Sequence, residues 1–339
     1  MLLASRQRSN NKHKICRKNP FGYIPPEIVF RSEKMTSPKL ERLKKEAGER
    51  LIVSLSGTTL TKGEISMLRE VSPCGIIYFK RNVESCGSLH SLIKSTKFCE
   101  SIEFHSIDEE GGRVRRLPKD DYSLPSMKEL VTYGKEIAAE KIGILAQELN
   151  EIGINMNMAP NVDLRSGEDN SIVGDRSFGE NPETVVEFAS IYIRKMQESG
   201  VFPVIKHFPG HGTTVIDSHS ELPLISKPFD DLFREDLVPY RRLANAAGFV
   251  MKAHLLLPEI SQLPASLSPE WDKILRKDLG FAGISMTDDI EMHALDRFSA
   301  KEKTELFFRS GTDKLLICSG KEEAILEMHE AAVKFLETK

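Results

Sequence analysis

The chain has 339 residues, 40% of them hydrophobic and 29% charged, and 47 basic against 50 acidic side chains leave a net charge of −3. That balance is ordinary for a soluble domain and carries no global signal for nucleic acid, and no run of about eighteen apolar residues is present to span a membrane. Five cysteines (Cys16, Cys74, Cys86, Cys99 and Cys318) are odd in number, widely spaced and free of any C-x-x-C pair, so they read as reduced thiols of a reducing, cytoplasmic compartment.

Residues 1–36 are rich in Arg, Lys, Ser and Asn, and the apolar start Met1-Leu2-Leu3-Ala4 is too short for a secretory signal. They read as a basic, disordered leader, or as a start placed too early with Met35 the true one, because such a segment buries too little surface to fold. Residues 37–339 read as one domain without internal repeats. Eight short β-rich runs, at 51–55, 75–79, 103–107, 154–158, 201–205, 248–251, 283–286 and 314–317, alternate with longer helical stretches. Alternation predicts a parallel α/β sheet, and the count predicts a single-domain (β/α)8 TIM-like barrel. A helix is expected over 127–152. Another is expected over 182–199, where Asn181 can cap and Pro182 suits the first turn, and a last one over 322–339. Asn and Pro interrupt the fourth and fifth runs.

In such a barrel the reacting groups gather at the C-terminal ends of the strands. Charged clusters follow five of the runs: Asp108-Glu109-Glu110-Gly111-Gly112-Arg113-Val114, Asn161-Val162-Asp163, Lys206-His207-Phe208-Pro209-Gly210-His211-Gly212, Lys252-Ala253-His254 and Thr287-Asp288-Asp289. The stretch 206–223, KHFPGHGTTVIDSHSELP, shows neither helical nor strand period and reads as a loop. Within it Asp217 and His219 are two residues apart, so the carboxylate can hold one ring N–H while the other nitrogen exchanges a proton near neutral pH. The alternative is a solvated surface pair. Gly111-Gly112 and Gly210-x-Gly212 permit positive φ and close backbone approach, but neither has the spacing of a phosphate-binding loop.

Together, DEEGGRV, GDRSFGENP, KHFPGHG followed by DSH, and TDD after a β-rich run closely resemble the family 3 glycoside hydrolases over about residues 51–295. The likeness is specifically to the single-domain β-N-acetylglucosaminidases of bacterial cell-wall recycling. The resemblance implies His219 as general acid/base assisted by Asp217, and Asp288 as nucleophile with Asp289 and Glu291 as rival carboxylates nearby. It also implies Asp108, Arg176, Lys206 and His207 as sugar-contacting groups. A retaining hydrolase needs its two catalytic functions on opposite sides of the anomeric carbon, and a histidine acid departs from the usual pair of carboxyls about 5–5.5 Å apart. The implied substrate is terminal N-acetylglucosamine β-1,4-linked to 1,6-anhydro-N-acetylmuramic acid, with or without a stem peptide. No cofactor, metal or nucleic-acid partner is expected, and the protein is expected to act as a monomer.

Other readings attach to the same residues. Asp108 and Arg176 can form an ion pair tying two barrel loops together. Arg113, followed by Arg115 and Arg116, reads either as a receptor for an anionic part of the substrate or as solvated surface. Asp163 and His254 read as supports for their neighbours or as plain structure. A phosphorylase is the nearest competing activity, since a histidine acid/base does not repel phosphate as a carboxylate would. His207, His211, Asp217 and His219 are zinc-ligand types, though without the helical geometry of an H-E-x-x-H site. An inactive sugar-binding protein is the remaining reading, and the fold by itself does not decide among these.

Overall fold

A computed structural model describes residues 38–118, 123–165, 172–212 and 222–339. All eight anticipated runs are strands: β1 (Leu51–Ser54), β2 (Gly75–Tyr78), β3 (Phe104–Ile107), β4 (Met156–Asn157), β5 (Phe202–Phe208), β6 (Phe249–Lys252), β7 (Ile284–Asp289) and β8 (Lys314–Ile317). They pair in parallel in chain order, and β8 closes the barrel on β1. Around them lie α1 (Pro38–Gly48), α2 (Lys62–Val71), α3 (Cys86–Ser95), α4 (Met127–Tyr133), α5 (Lys135–Ile152) and α6 (Pro182–Glu198). The outer layer continues with α7 (Phe229–Arg234), α8 (Val238–Ala247), α9 (Pro269–Lys273), α10 (Ala300–Ser310) and α11 (Glu322–Glu337). Among the described residues no helix is long and apolar enough to cross a membrane.

Strand parity sorts the apolar side chains into two cores. On β1, Leu51 and Val53 pack outward against the helices while Ile52 points into the barrel, as successive side chains of a strand must alternate. The interior is filled by Ile52, Ile77, Met156, Val204, Met286 and Leu316 with their neighbours. At the strand starts Phe104, Phe202 and Phe249 form an aromatic floor, with ring centroids 5.7 Å apart for Phe104–Phe249 and 5.4 Å for Phe202–Phe249. These rings pack at the N-terminal end of the barrel, opposite the end where the polar clusters lie.

The helices begin where local chemistry allows. Thr61 with Glu64, Ser126 with Glu129 and Ser299 with Glu302 form capping boxes, and the Asn181 side chain accepts from the Glu183 amide at 2.8 Å ahead of Pro182. The helix expected over 127–152 is two helices, because Gly134 sits between them at φ 84°, a conformation that only glycine adopts without strain. β4 is shorter than expected. Asn155 replaces part of the ladder with its side chain, accepting from the His105 amide at 2.8 Å and donating to the Glu103 carbonyl at 2.7 Å. β5 is longer than expected: Lys206, His207 and Phe208, read from sequence as loop, are strand. Phe208 anchors that extension by packing edge-on against Tyr240 and Trp271, at 5.3 and 5.7 Å.

The joint between α10 and the outer core provides a test of this packing. Phe307 is fully buried and meets Phe308 at 5.1 Å, far from the open end of the barrel. Phe307→Ala is expected to cost about 3–5 kcal/mol. Urea unfolding followed by emission of Trp271, the sole tryptophan, reads this as a lower midpoint.

Candidate active site

The C-terminal ends of the strands open into a cavity of about 410 Å³, inside the range of about 300–1,000 Å³ usual for small-molecule sites. Asp108, Arg176, Lys206, His207 and Asp288 all line it, so five of the seven expected site residues are brought together. The other two, Asp217 and His219, lie outside the described residues. Strand geometry explains the convergence. Beyond β3 the alternation continues, turning Asp108 and Glu110 inward. On β5 the register shifts between Ile205 and Phe208, so Lys206 and His207 both face the cavity although they are consecutive. A second shift, between Met286 and Asp289 on β7, does the same for Asp288 and Asp289.

Charge pairing holds one wall. The Lys206 ammonium is shared between Asp108 and Glu110, lying 2.6 Å from Glu110 Oε1. Arg176 clasps Glu110 with both arms, at 2.8 and 2.7 Å, and Arg116 donates to Asp108 Oδ2 at 2.6 Å. Burial alone would push both carboxyls up. For Asp108 the cations Lys206 and Arg116, and for Glu110 Lys206 and Arg176, outweigh burial and hold them below the usual carboxylate range.

This arrangement corrects two readings of the sequence. Arg176 pairs with Glu110 rather than with Asp108, whose oxygens are taken by Lys206 and Arg116. Arg115 and Arg116 are not solvated; their side chains are 12% and 19% exposed. Arg113 is half-exposed and pairs with Asp175 at 2.9 Å, and its guanidinium also donates to the Ile172 carbonyl at 2.8 Å. Glu110 carries no site role from sequence, and Arg116 reads only alongside Arg113, as a receptor for an anionic group or as solvated surface. The available signal was parity: residues 108 and 110 of an extended chain share a face.

A second group orients the imidazole. Asp163 is buried, and its Oδ2 lies 2.7 Å from His207 Nδ1, while Oδ1 accepts from the backbone amides of His207 at 3.1 Å and His211 at 2.9 Å. His207 Nε2 is 3.4 Å from Arg176 Nη2, and because a guanidinium only donates, the ring proton belongs on Nδ1, facing Asp163. Burial raises the Asp163 carboxyl, but His207, His211 and the His211 amide more than offset it and hold it low. With both ring nitrogens occupied, His207 has no lone pair free for zinc. No cluster of three or more metal-ligating side chains occurs among the described residues.

On the opposite strand, Asp288 is likewise raised by burial but brought below its ordinary value by His207, His254, the Asp289 amide at 2.8 Å and Lys206. It stays ionised. Asp289 behaves differently: burial pushes it up to about 6, against the amides of Glu291 and Cys318 that its Oδ1 accepts at 3.1 and 3.2 Å. His254 sits behind this segment. Its Nε2–H donates to the Asp289 carbonyl at 2.8 Å, and its Nδ1 meets the Ser266 hydroxyl at 2.6 Å. Asp163 and His254 therefore act on the cavity through the residues they fasten. The cavity offers an ionised carboxylate beside fixed charged donors and acceptors, with Phe79, Met158, Met251 and Met292 as apolar surface. Those are the groups needed to pair the hydroxyls of a small polar ligand and to attack an electrophilic carbon.

Comparison with known proteins agrees with that chemistry. The model of the glycosyl hydrolase family 3 N-terminal domain matches residues 42–338. A β-hexosaminidase of Stenotrophomonas maltophilia is 33% identical over 281 residues, which cover 79% of this chain and 83% of that protein. A β-hexosaminidase of Pseudomonas aeruginosa is 32% identical over 284 residues, 82% of this chain and 85% of its own. Among solved structures, native NagZ from Neisseria gonorrhoeae superimposes with a TM-score of 0.76 at 30% identity, over 85% of this chain and 88% of that one. A family 3 β-N-acetylglucosaminidase from Paenibacillus sp. str. FPU-7 gives 0.83 at 32% identity over 87% of this chain, which spans 58% of that longer protein.

Two outcomes are expected from the support residues. Asp163→Asn removes the charged acceptor for His207 Nδ1, and the loss of a charge-assisted hydrogen bond is expected to lower kcat/KM about 10- to 100-fold with the circular dichroism spectrum unchanged. Full activity in that variant would show that the His207 orientation is immaterial. For Asp289, whose carboxyl is raised from 3.8 to about 6, the folded state keeps a proton that the unfolded chain releases. Its contribution to stability therefore falls as pH rises through that window. Melting temperatures of Asp289→Asn should fall less between pH 4 and pH 6 than those of the unaltered protein.

Proposed function

The chain belongs to glycosyl hydrolase family 3, and from that premise we propose that it is a retaining exo-β-N-acetylglucosaminidase with Asp288 as nucleophile and His219, assisted by Asp217, as acid/base. The observation that carries the reading is Asp288 itself: a carboxylate at the end of β7, held ionised, in one cavity with Asp108, Arg176, Lys206 and His207. Those four are the sugar-contacting groups of the proposal. Support for the N-acetyl sugar comes from the bacterial β-hexosaminidases and β-N-acetylglucosaminidases that the chain resembles. The roles of His219 and Asp217 rest on sequence.

In the first step an Asp288 oxygen bonds to C1 of the sugar as the bond from C1 to the leaving oxygen breaks, and His219 passes its proton to that oxygen. In the second, water adds to C1 and gives a proton to His219, and the Asp288 carboxylate departs. The fixed ion network pre-pays the ordering of the charged groups around the sugar, so little reorganisation is required during reaction. We assign the natural substrate as terminal N-acetylglucosamine on 1,6-anhydro-N-acetylmuramic acid, with or without a stem peptide, released in cell-wall recycling. Cytoplasmic placement is supported by the buried thiols Cys74, Cys99 and Cys318, none of which forms a disulfide. Water rather than phosphate is favoured as the acceptor by the hydrolase names of the relatives.

The test is release of p-nitrophenol from its N-acetyl-β-glucosaminide and from the matching β-glucoside, with and without phosphate. Release is expected from the N-acetyl substrate alone, and Asp288→Ala should lower it at least about a thousandfold. Normal turnover by Asp288→Ala would sink the assignment. Sugar 1-phosphate among the products would replace hydrolysis by phosphorolysis, and release of N-acetylglucosamine from the anhydro disaccharide would support the natural substrate.

A further inference from the structure

Glu109 lies between the two carboxylates that hold Lys206, yet strand parity turns it out of the cavity. Its side chain is wholly buried. Oε2 accepts two backbone amides from further along the chain, Arg116 at 2.6 Å and Leu117 at 2.9 Å. Among the described residues Oε1 makes no hydrogen bond; it lies 4.0 Å from Arg115 Nε, which likewise makes none. The Glu109 backbone is fastened as firmly. Its amide donates to Asn157 Oδ1 at 3.0 Å, and its carbonyl accepts from Asn157 Nδ2 at 2.8 Å and the Tyr192 hydroxyl at 3.3 Å. Between the two anchors the chain turns back on itself: the amides of Glu110 and Gly111 donate to the Val114 carbonyl at 3.0 and 3.2 Å. The result is a short closed loop whose far end carries Arg116, and the Arg116 guanidinium reaches back to Asp108 at 2.6 Å.

We propose that Glu109 is a positioning residue for the sugar clamp: by capturing the amides of Arg116 and Leu117 it sets Arg116 against Asp108 and so fixes how Asp108 is presented to substrate. Glu109 does not line the cavity, so it acts only through that pair. Burial pushes the Glu109 carboxyl up to about 7 against these two amides, and in either protonation state an oxygen that accepts both fixes their positions more tightly than a solvated turn, because releasing either leaves a donor unpaired. The proposal rests on the sugar-contacting role given above to Asp108.

The experiment is a double-mutant cycle on p-nitrophenyl N-acetyl-β-glucosaminide with Glu109→Ala, Arg116→Ala and the pair, and with Glu109→Gln as the variant that keeps an acceptor oxygen. Glu109→Ala is expected to raise KM about tenfold with a smaller change in kcat, and Glu109→Gln to restore most of it. In the Arg116→Ala background Glu109→Ala should add less than about twofold. Additive effects, or a lowered melting temperature with KM unchanged, would overturn the proposal. Should Glu109→Ala fail to fold, Glu109→Asp, one methylene too short to reach both amides, takes its place in the cycle. If the unaltered protein releases no p-nitrophenol, the hexosaminidase reading fails. The positioning claim is then read from a crystal structure of Glu109→Ala or Glu109→Asp. Separation of Arg116 from Asp108 beyond hydrogen-bond reach supports it, and a contact kept at 2.6 Å overturns it.

Discussion

A lysine ammonium buried in the mouth of a barrel is the constraint on which the rest of this site depends. Lys206 is 2% exposed, and a charge so far from water persists only where opposite charge surrounds it. Asp108 and Glu110 supply that charge from the end of β3. Two carboxylates against one ammonium leave one excess negative charge, which Arg116 and Arg176 more than offset. The ends of β3 and β5 and the segment around Arg176 are thereby drawn into one rigid wall. Such a wall is costly to assemble, but once assembled it presents fixed donors and acceptors that do not have to be ordered when a ligand arrives.

Behind the wall stands a layer of residues that never touch the cavity. Asn157 and Tyr192 pin Glu109, and His254 holds the turn that follows Asp288. Asp163 differs in lining the cavity while using its oxygens on His207 and His211. Each couples a side chain at the open end to the packed layer between strands and helices, where movement is resisted by close packing. At the other end the packed rings of Phe104, Phe202 and Phe249 tie the starts of β3, β5 and β6 together by apolar contact.

Burial pushes neighbouring carboxyls up alike, and the surroundings decide whether it prevails. Asp288 has two imidazoles and an ammonium within range and stays charged, whereas Asp289, one residue on, is pushed up to about 6 by burial, with Glu291 and Asp288 adding to the rise. Two adjacent aspartates thus carry different protonation behaviour without any difference in residue type. The same logic separates Glu110, clasped by Arg176 and Lys206, from Glu109, which has amides and a distant Arg115 for company.

Amino-acid order alone was enough for the barrel and for the clusters that hold Asp108, Lys206, His207 and Asp288, whereas Arg176 was singled out only by the family resemblance. The count of β-rich runs is a local property of hydrophobic periodicity, and the charged clusters follow those runs directly, at the strand ends where a parallel barrel must display them. Helix starts were equally legible at Asn181-Pro182, because a cap is a contact between near neighbours in the chain. The break at Gly134 was not, since a glycine interrupts a helix only where the following segment packs in a new direction. Nor could the order of residues reveal that Lys206 and His207 both face inward: regular strand alternation would separate them, and the departure from it coincides with a register shift against β6, set by pairing between distant segments. The partners of Asp108 and Arg176 were decided in the same way, by which charges the closed barrel brings within reach of a buried lysine.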